Sequence, residues 1–358
     1  MAVVHQLLPN LEYGDAISNY AILLRRLLRG MGHRSRIYAR FVHPKMRRHA
    51  WSLKRACRLA QDGSVIWIYH YSIHSEITRM VRDFSGPIIL VHHNITPPLF
   101  AAATDGHMAS RFHAAREDLK TIADLPRIAV GVSEYNRAQL VELGFRHTDI
   151  LPIILDLPQF ERPPKRAIIN KYRDGGVSFL TVGRVQPNKK IEDDIRVFHY
   201  YHEYINARSR LFVVGDAKGM EDYQERLLQF CRDFSIPNVH FTGKVGFREL
   251  LAYYRIADVY LCMSEHEGFC VPLLECMHLG IPIIAYKCAA IGETLGDAGI
   301  LVRQKRFAEI AEMAHLLIAD KDLRARVIAK QKERALFFHE NYLIAQLKRV
   351  LAVAQGDL

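Results

Sequence analysis

The sequence predicts an α/β protein built from two Rossmann-like domains, and three observations carry that expectation. The 358 residues suffice for two domains of ordinary size, each with its own core. Apolar runs of strand length alternate with helical patterns along most of the chain, as in a parallel sheet covered by helices. The alternation lapses over 157–176, where Pro158, Pro163, Pro164, Gly175 and Gly176 crowd together, and then restarts. A boundary there divides the chain into 1–158 and a second domain beginning at 159.

Taken in order, 2–9 reads as a first strand, 10–15 as a loop and 16–29 as a long amphipathic helix. Gly30-Met31-Gly32-His33 ends the helix before a second strand at 35–39. Further strands are expected at 65–70, 87–92 and 128–132, with helical pattern over 109–123 and Ser133 placed to cap the helix that follows. In the second domain strands are expected at 177–182, 210–214, 239–242, 257–262 and from 281, and helices from 191, over 222–234 and over 248–255. Pro272 suits a first helical turn and Gly280 the position past a helix end, so a short helix lies between them. Helices over 307–319, 323–335 and 341–354 close the chain.

Composition narrows the function classes. Hydrophobic residues make up 49% and charged ones 24%, which describes a soluble globular protein. No apolar run reaches the roughly 18 to 20 residues needed to cross a bilayer, and the N-terminus has no secretory pattern, so a cytoplasmic protein is expected. The six cysteines form no C-x-x-C pair and read as reduced core thiols. A net charge of +11, weighted toward the N-terminal half, suggests an anionic partner. Nucleic acid is not that partner, because no nucleic-acid-binding module is recognisable. Absence of G-x-G-x-x-G removes the main support for a nicotinamide or flavin enzyme. The basic stretch 45–58, with Met46, Trp51 and Leu53 interleaved, fits either an anionic membrane surface or a solvated helix face.

Two loops carry chemistry. In 183–190, Arg184 and Lys189 lie five apart after a strand, placed to converge on a diphosphate, the guanidinium through paired hydrogen bonds and the ammonium as a point charge. In 261–286 a strand, a loop and a helix set Glu267 at the mouth of a crevice and Glu275 about one turn inside, with seven residues between them. Carboxylates so placed can accept hydrogen bonds from the hydroxyls of a sugar and a ribose. His93, just past a strand end with His92 beside it and prolines behind, is placed to donate a hydrogen bond into a crevice. The only Asp-x-Asp, Asp320-Lys321-Asp322, is better explained as a helix cap than as a metal site.

The E-x7-E segment, with Gly268-Phe269 and Pro272-Leu273-Leu274 between its acids, resembles the donor-binding motif of retaining glycosyltransferases of the GT-B fold, family 4. The resemblance extends over nearly the whole chain. It implies GT-B architecture: two Rossmann-like domains facing a central cleft, an acceptor-binding one over 1–158 and a donor-binding one over 159–337, with 338–358 crossing back to the first. It implies a diphosphate clamp of Arg184 with Lys189 or Lys190, since the residue after the clamp lysine is commonly glycine in the family and is Lys190 here. Gly14 and Asp15 resemble the loop that closes over the donor phosphate, and His93 the histidine that approaches the donor sugar. Glu267 with the backbone of Gly268, Phe269 and Cys270 would hold the hexose, Glu275 the ribose, and the loops with Gly215, Lys244 and Val245 the base.

The function implied is retaining transfer of a mannose- or glucose-type hexose from a nucleoside-diphosphate sugar to a saccharide or lipid-linked acceptor in envelope-polysaccharide synthesis. It would run without a metal or other cofactor, by a same-face mechanism in which the departing phosphate helps deprotonate the acceptor. Localisation would be cytoplasmic, in peripheral contact with the membrane if the basic domain binds it. Competing readings are a nucleotide-sugar epimerase or phosphorylase of the same fold, or a non-catalytic sugar-nucleotide-binding partner of an assembly complex.

Overall fold

The structure, a computed structural model, describes residues 1–102 and 106–357. It comprises two compact units, Met1–Ile154 with Phe338–Leu358, and Leu155–Phe337. Among the described residues no helix is long and apolar enough to cross a membrane.

The first unit is built on a seven-stranded sheet of β1 (Val3–Leu11), β2 (Ile37–Val42), β3 (Ala50–Ser52), β4 (Val65–Tyr71), β5 (Ile88–His92), β6 (Ile128–Gly131) and β7 (Thr148–Ile150). The strands pair in the order β3-β2-β1-β4-β5-β6-β7, all parallel. Parallel strands are covered on both faces, and the seven residues of β4 are accordingly all buried. The closing helix Glu340–Gln355 belongs to this unit and packs against β5 and β6. Its buried Leu343, Leu347, Val350, Leu351 and Ala354 recur at helical spacing and form one apolar face. Arg349 bonds Asp149 from the same helix.

The second unit repeats the plan with β8 (Val177–Val182), β9 (Ser209–Val214), β10 (Val239–Gly243), β11 (Val259–Cys262), β12 (Ile283–Tyr286) and β13 (Ile300–Val302), in the order β10-β9-β8-β11-β12-β13. In each unit the order reverses after the first strand, between β1 and β4 and between β8 and β11. The crevice at such a reversal, at the carboxyl ends of the strands, is where ligands bind in sheets of this kind.

Several expectations change on contact with the structure. The basic stretch is not a helix face: Pro44–His49 is a 3-10 helix, Ala50–Ser52 the edge strand β3, and Leu53–Cys57 a short helix. Met46 and Leu53 are buried, while Trp51 lies between the guanidinium groups of Arg36 and Arg55, 4.9 and 4.2 Å from its ring centroid. The first strand runs on to Leu11, two residues into the expected loop. Asp320 caps the Lys321–Ala335 helix, accepting from the backbone N–H groups of Asp322 and Leu323, both at 2.9 Å. Ser133 likewise caps the Glu134–Glu142 helix through the Asn136 N–H.

Candidate functional site

At the reversal of the second sheet, the loops after β8 and β11 meet. Lys189 Nζ donates to Glu267 Oε1 at 2.5 Å, and Asn188, buried between the loops, accepts from the Glu265 N–H at 2.8 Å and donates through Nδ2 to the His266 carbonyl at 3.0 Å. Burial favours the neutral amine of Lys189, but the Glu267 carboxylate and its hydrogen bond outweigh that and hold the ammonium above its ordinary range. Asp194, at the start of the Ile191–Tyr204 helix, ties β8 to β11 by accepting from Thr181 Oγ1 at 2.9 Å and the Met263 N–H at 3.1 Å.

Lys190 takes φ 51° and ψ 47°, the left-handed region where a side chain is strained and glycine is at ease. Its ammonium lies 3.5 Å from Glu192 and 3.6 Å from Glu265, away from Glu267. Of the two lysines, Lys189 is the one built into the crevice. Arg184 is exposed and donates to the Lys218 carbonyl at 2.9 Å, on the loop after β9. Gly215 permits this arrangement, because a Cβ there would stand 1.8 Å from the Gly183 carbonyl oxygen. Lys244 reaches toward the same loop, 4.0 Å from Asp216, and Val245 follows it.

Gly268, Phe269 and Cys270 lead into the Val271–Leu279 helix, which carries Pro272 in its first turn and whose Leu273 N–H donates to the Cys270 carbonyl at 3.0 Å. Cys270 is left-handed too, at φ 67°, and its Sγ lies 3.9 Å from that of Cys262. Among the described residues, Cys262, Glu267 and Cys270 are the one group of three metal-ligating side chains, with ligand atoms within 4.8 Å of one another. Lys189 already supplies Glu267 with a cation. Glu275 sits in mid-helix, about one turn past the Val271 start, as its spacing predicts. It accepts a hydrogen bond from the Tyr254 hydroxyl, and burial pushes its carboxyl up to about 7.

Gly14, Asp15 and His93 lie in the first unit. Gly14 is left-handed at φ 73°, and Asp15 caps the Ala16–Gly30 helix by accepting from the Ser18 N–H and Oγ, both at 2.9 Å. Its carboxylate is therefore engaged locally. His93 follows β5, nine-tenths buried, and its Nε2 is 2.8 Å from Nδ1 of His70 in β4. His70 Nε2 is in turn 2.9 Å from Gln6 Oε1 in β1. The sequence reading missed His70, Gln6, Asn188 and Asp194. A histidine or glutamine inside an apolar strand reads as packing, and only adjacency in the sheet reveals otherwise.

Comparison with known proteins bears on this geometry. The family model described as glycosyl transferases group 1 matches residues 164–334, which contain Arg184, Lys189, Glu267 and Glu275. Residues 164–334 belong to the group 1 glycosyltransferases. The curated O-antigen chain mannosyltransferase B of Escherichia coli is 23% identical over 296 residues, 81% of this chain and 72% of that protein. The phosphatidyl-myo-inositol mannosyltransferase of Mycolicibacterium smegmatis is 24% identical over 364 residues, 95% of this chain and 90% of that protein. Anabaena Alr3699/HepE, solved in complex with UDP and glucose, superposes with a TM-score of 0.77 at 15% identity, covering 98% of this chain and 100% of that one. The architecture of the chain is GT-B.

Proposed function

We propose that the chain is a retaining hexosyltransferase that moves a mannose- or glucose-type sugar from a nucleoside-diphosphate donor to a saccharide or lipid-linked acceptor. The observation that carries the reading is the meeting of a cationic and a carboxylate-bearing loop at the strand-order reversal, joined by the 2.5 Å contact of Lys189 with Glu267. Relatives described as mannosyltransferases and a structural neighbour holding UDP and glucose support it.

In this reading Arg184 and Lys189 neutralise the leaving diphosphate, which is where charge develops in the transition state. Glu267 and the backbone of Gly268, Phe269 and Cys270 bind the hexose hydroxyls, Glu275 those of the ribose, and Gly215, Lys244 and Val245 line the base. Gly14, Asp15 and His93 serve the donor from the first unit, Asp15 through the loop it shapes. The departing phosphate oxygen takes the acceptor proton on the face it leaves, so no metal enters the step. Envelope-polysaccharide synthesis is the setting proposed, with the exposed Lys45, Arg47, Arg48, Lys54, Arg55 and Arg58 resting on anionic lipid.

The test is release of nucleoside diphosphate from a panel of nucleotide hexoses in the presence of a chelator, with and without candidate acceptors. Acceptor-dependent release is expected, and the product should keep the donor's anomeric configuration. Arg184→Ala and Lys189→Ala should each lower kcat by about 10²- to 10³-fold, the scale for losing one group that stabilises developing charge. Release at the same rate without acceptor, or a rate in both variants equal to that of the parent protein, overturns the reading.

A further inference from the structure

His93 enters the transferase reading as a residue near the donor, and its hydrogen bonds determine what it offers there. Gln6 Nε2 donates to the Ala21 carbonyl at 3.1 Å, which turns Oε1 toward His70. An amide oxygen only accepts, so the His70 nitrogen 2.9 Å from it, Nε2, carries the proton. His70 is fully enclosed, and burial pushes its pKa down to about 3, so at neutral pH the ring is uncharged and Nδ1 keeps its lone pair. That lone pair faces His93 Nε2 at 2.8 Å, so His93 must donate from Nε2. The ring planes are 22° apart with centroids at 5.1 Å, a separation that fits an edge-to-edge N–H···N bond of 2.8 Å. Tyr20 packs edge-on against both, its hydroxyl donating to the Leu151 carbonyl at 3.1 Å. His93 Nδ1 is left with a lone pair and has no hydrogen-bond partner among the described residues.

We propose that Gln6 and His70 are positioning residues that lock His93 in the tautomer whose Nδ1 is an acceptor, so that the site recognises a ligand hydroxyl through its hydrogen. The relay runs across the adjacent strands β1 and β4 to the residue after β5, each link fixed by the one before. The ligand class, a polyhydroxylated sugar, rests on the transferase reading; the tautomer does not. A fluorine or an ether oxygen in place of that hydroxyl has no hydrogen to give, and would leave Nδ1 buried and unpaired.

The test has two arms. With ring-15N histidine in the full chain at neutral pH, long-range 1H–15N correlation shows which nitrogen of each ring carries the proton, and loss of signals in His70→Asn and His93→Asn assigns the two residues. Protons on both Nε2 atoms and a bare His93 Nδ1 are expected. Gln6→Glu, which keeps the acceptor, should preserve the pattern, whereas Gln6→Leu should allow protonated Nδ1 in both rings. A proton on His93 Nδ1 in the parent protein overturns the proposal. This arm needs no donor, so it stands or falls apart from the transferase assignment. In the second arm, binding of nucleotide-sugar analogues bearing one fluorine in place of one hydroxyl should weaken at least tenfold at a single ring position. His93→Ala should abolish that discrimination and Gln6→Leu should reduce it; full discrimination in His93→Ala overturns the hydroxyl assignment.

Discussion

Lys189 and Glu267 each exist in the crevice by virtue of the other. Removing one partner of a largely enclosed ion pair leaves the other charge uncompensated, which costs on the order of 3 kcal/mol, whereas removing both costs much less. Lys189→Met should therefore lower the urea-unfolding midpoint sharply, and the Lys189→Met/Glu267→Gln pair should recover most of the loss. Additive losses would mean that the contact is not coupled. Lys190 behaves in the opposite sense, since its left-handed backbone penalises a side chain. Lys190→Gly should stabilise by up to about 1 kcal/mol and leave transfer unaffected if Lys189 is the clamp. Glu275 adds a pH dependence. Its carboxyl is raised to about 7 by burial, and a ribose hydroxyl donates best to the ionised form. Nucleotide affinity should accordingly fall as pH drops from 8 to 6, with Glu275→Gln nearly flat over that range in calorimetric titration.

At the scale of elements, the position that lets the segments after β8 and β9 approach each other is Gly215. A Cβ 1.8 Å from the Gly183 oxygen forces β9 and β8 apart at their carboxyl ends, so Gly215→Ala should destabilise by about 2 to 3 kcal/mol and weaken nucleotide binding with it. Comparison with Gly246→Ala, where the nearest atom is a flexible carboxylate oxygen at 3.5 Å, separates close approach from a general cost of adding a methyl group. Elements with strong local signals were legible: β8 and the Phe307–Ala319 helix carry apolar patterns bounded by polar or glycine residues, and their ends fall where the sequence placed them. The three-residue strands β3, β7 and β13 were not read, because three residues carry no period and their extended form is imposed by the neighbouring strand. The site divides in the same way. Arg184, Lys189 and Glu267 stand on polar loops after apolar strands and were visible as chemistry. His70 and Gln6 stand inside buried strands, and their role depends on which strands lie side by side.

At the scale of the molecule, the two units hold buried ionisable groups of opposite kind, and acid should act on them in opposite directions. In the first unit, burial holds His5 down to about 4 and His70 down to about 3, with His93 lowered as well. A histidine whose folded pKa is depressed binds fewer protons in the native state than in the unfolded one. Its contribution is complete above about 6.5 and falls as pH drops toward the folded value, by about 1.4 kcal/mol per pH unit for each group. In the second unit, burial raises the carboxyls of Glu275, Asp194 and Asp258, which favours the native state as pH falls, although the lowered His240 and His278 act the other way. The chain's two tryptophans, Trp51 and Trp67, both lie in the first unit, and Trp67 packs against His5 with ring centroids 5.6 Å apart. Tryptophan emission in urea thus reports the first unit, while far-ultraviolet ellipticity reports both. Between pH 7 and pH 5 the emission midpoint should fall steeply and separate from a later ellipticity transition, and His5→Gln should flatten the slope. Coincident midpoints that move together with pH would mean that the two units unfold as one and that the buried histidines do not set the acid limit.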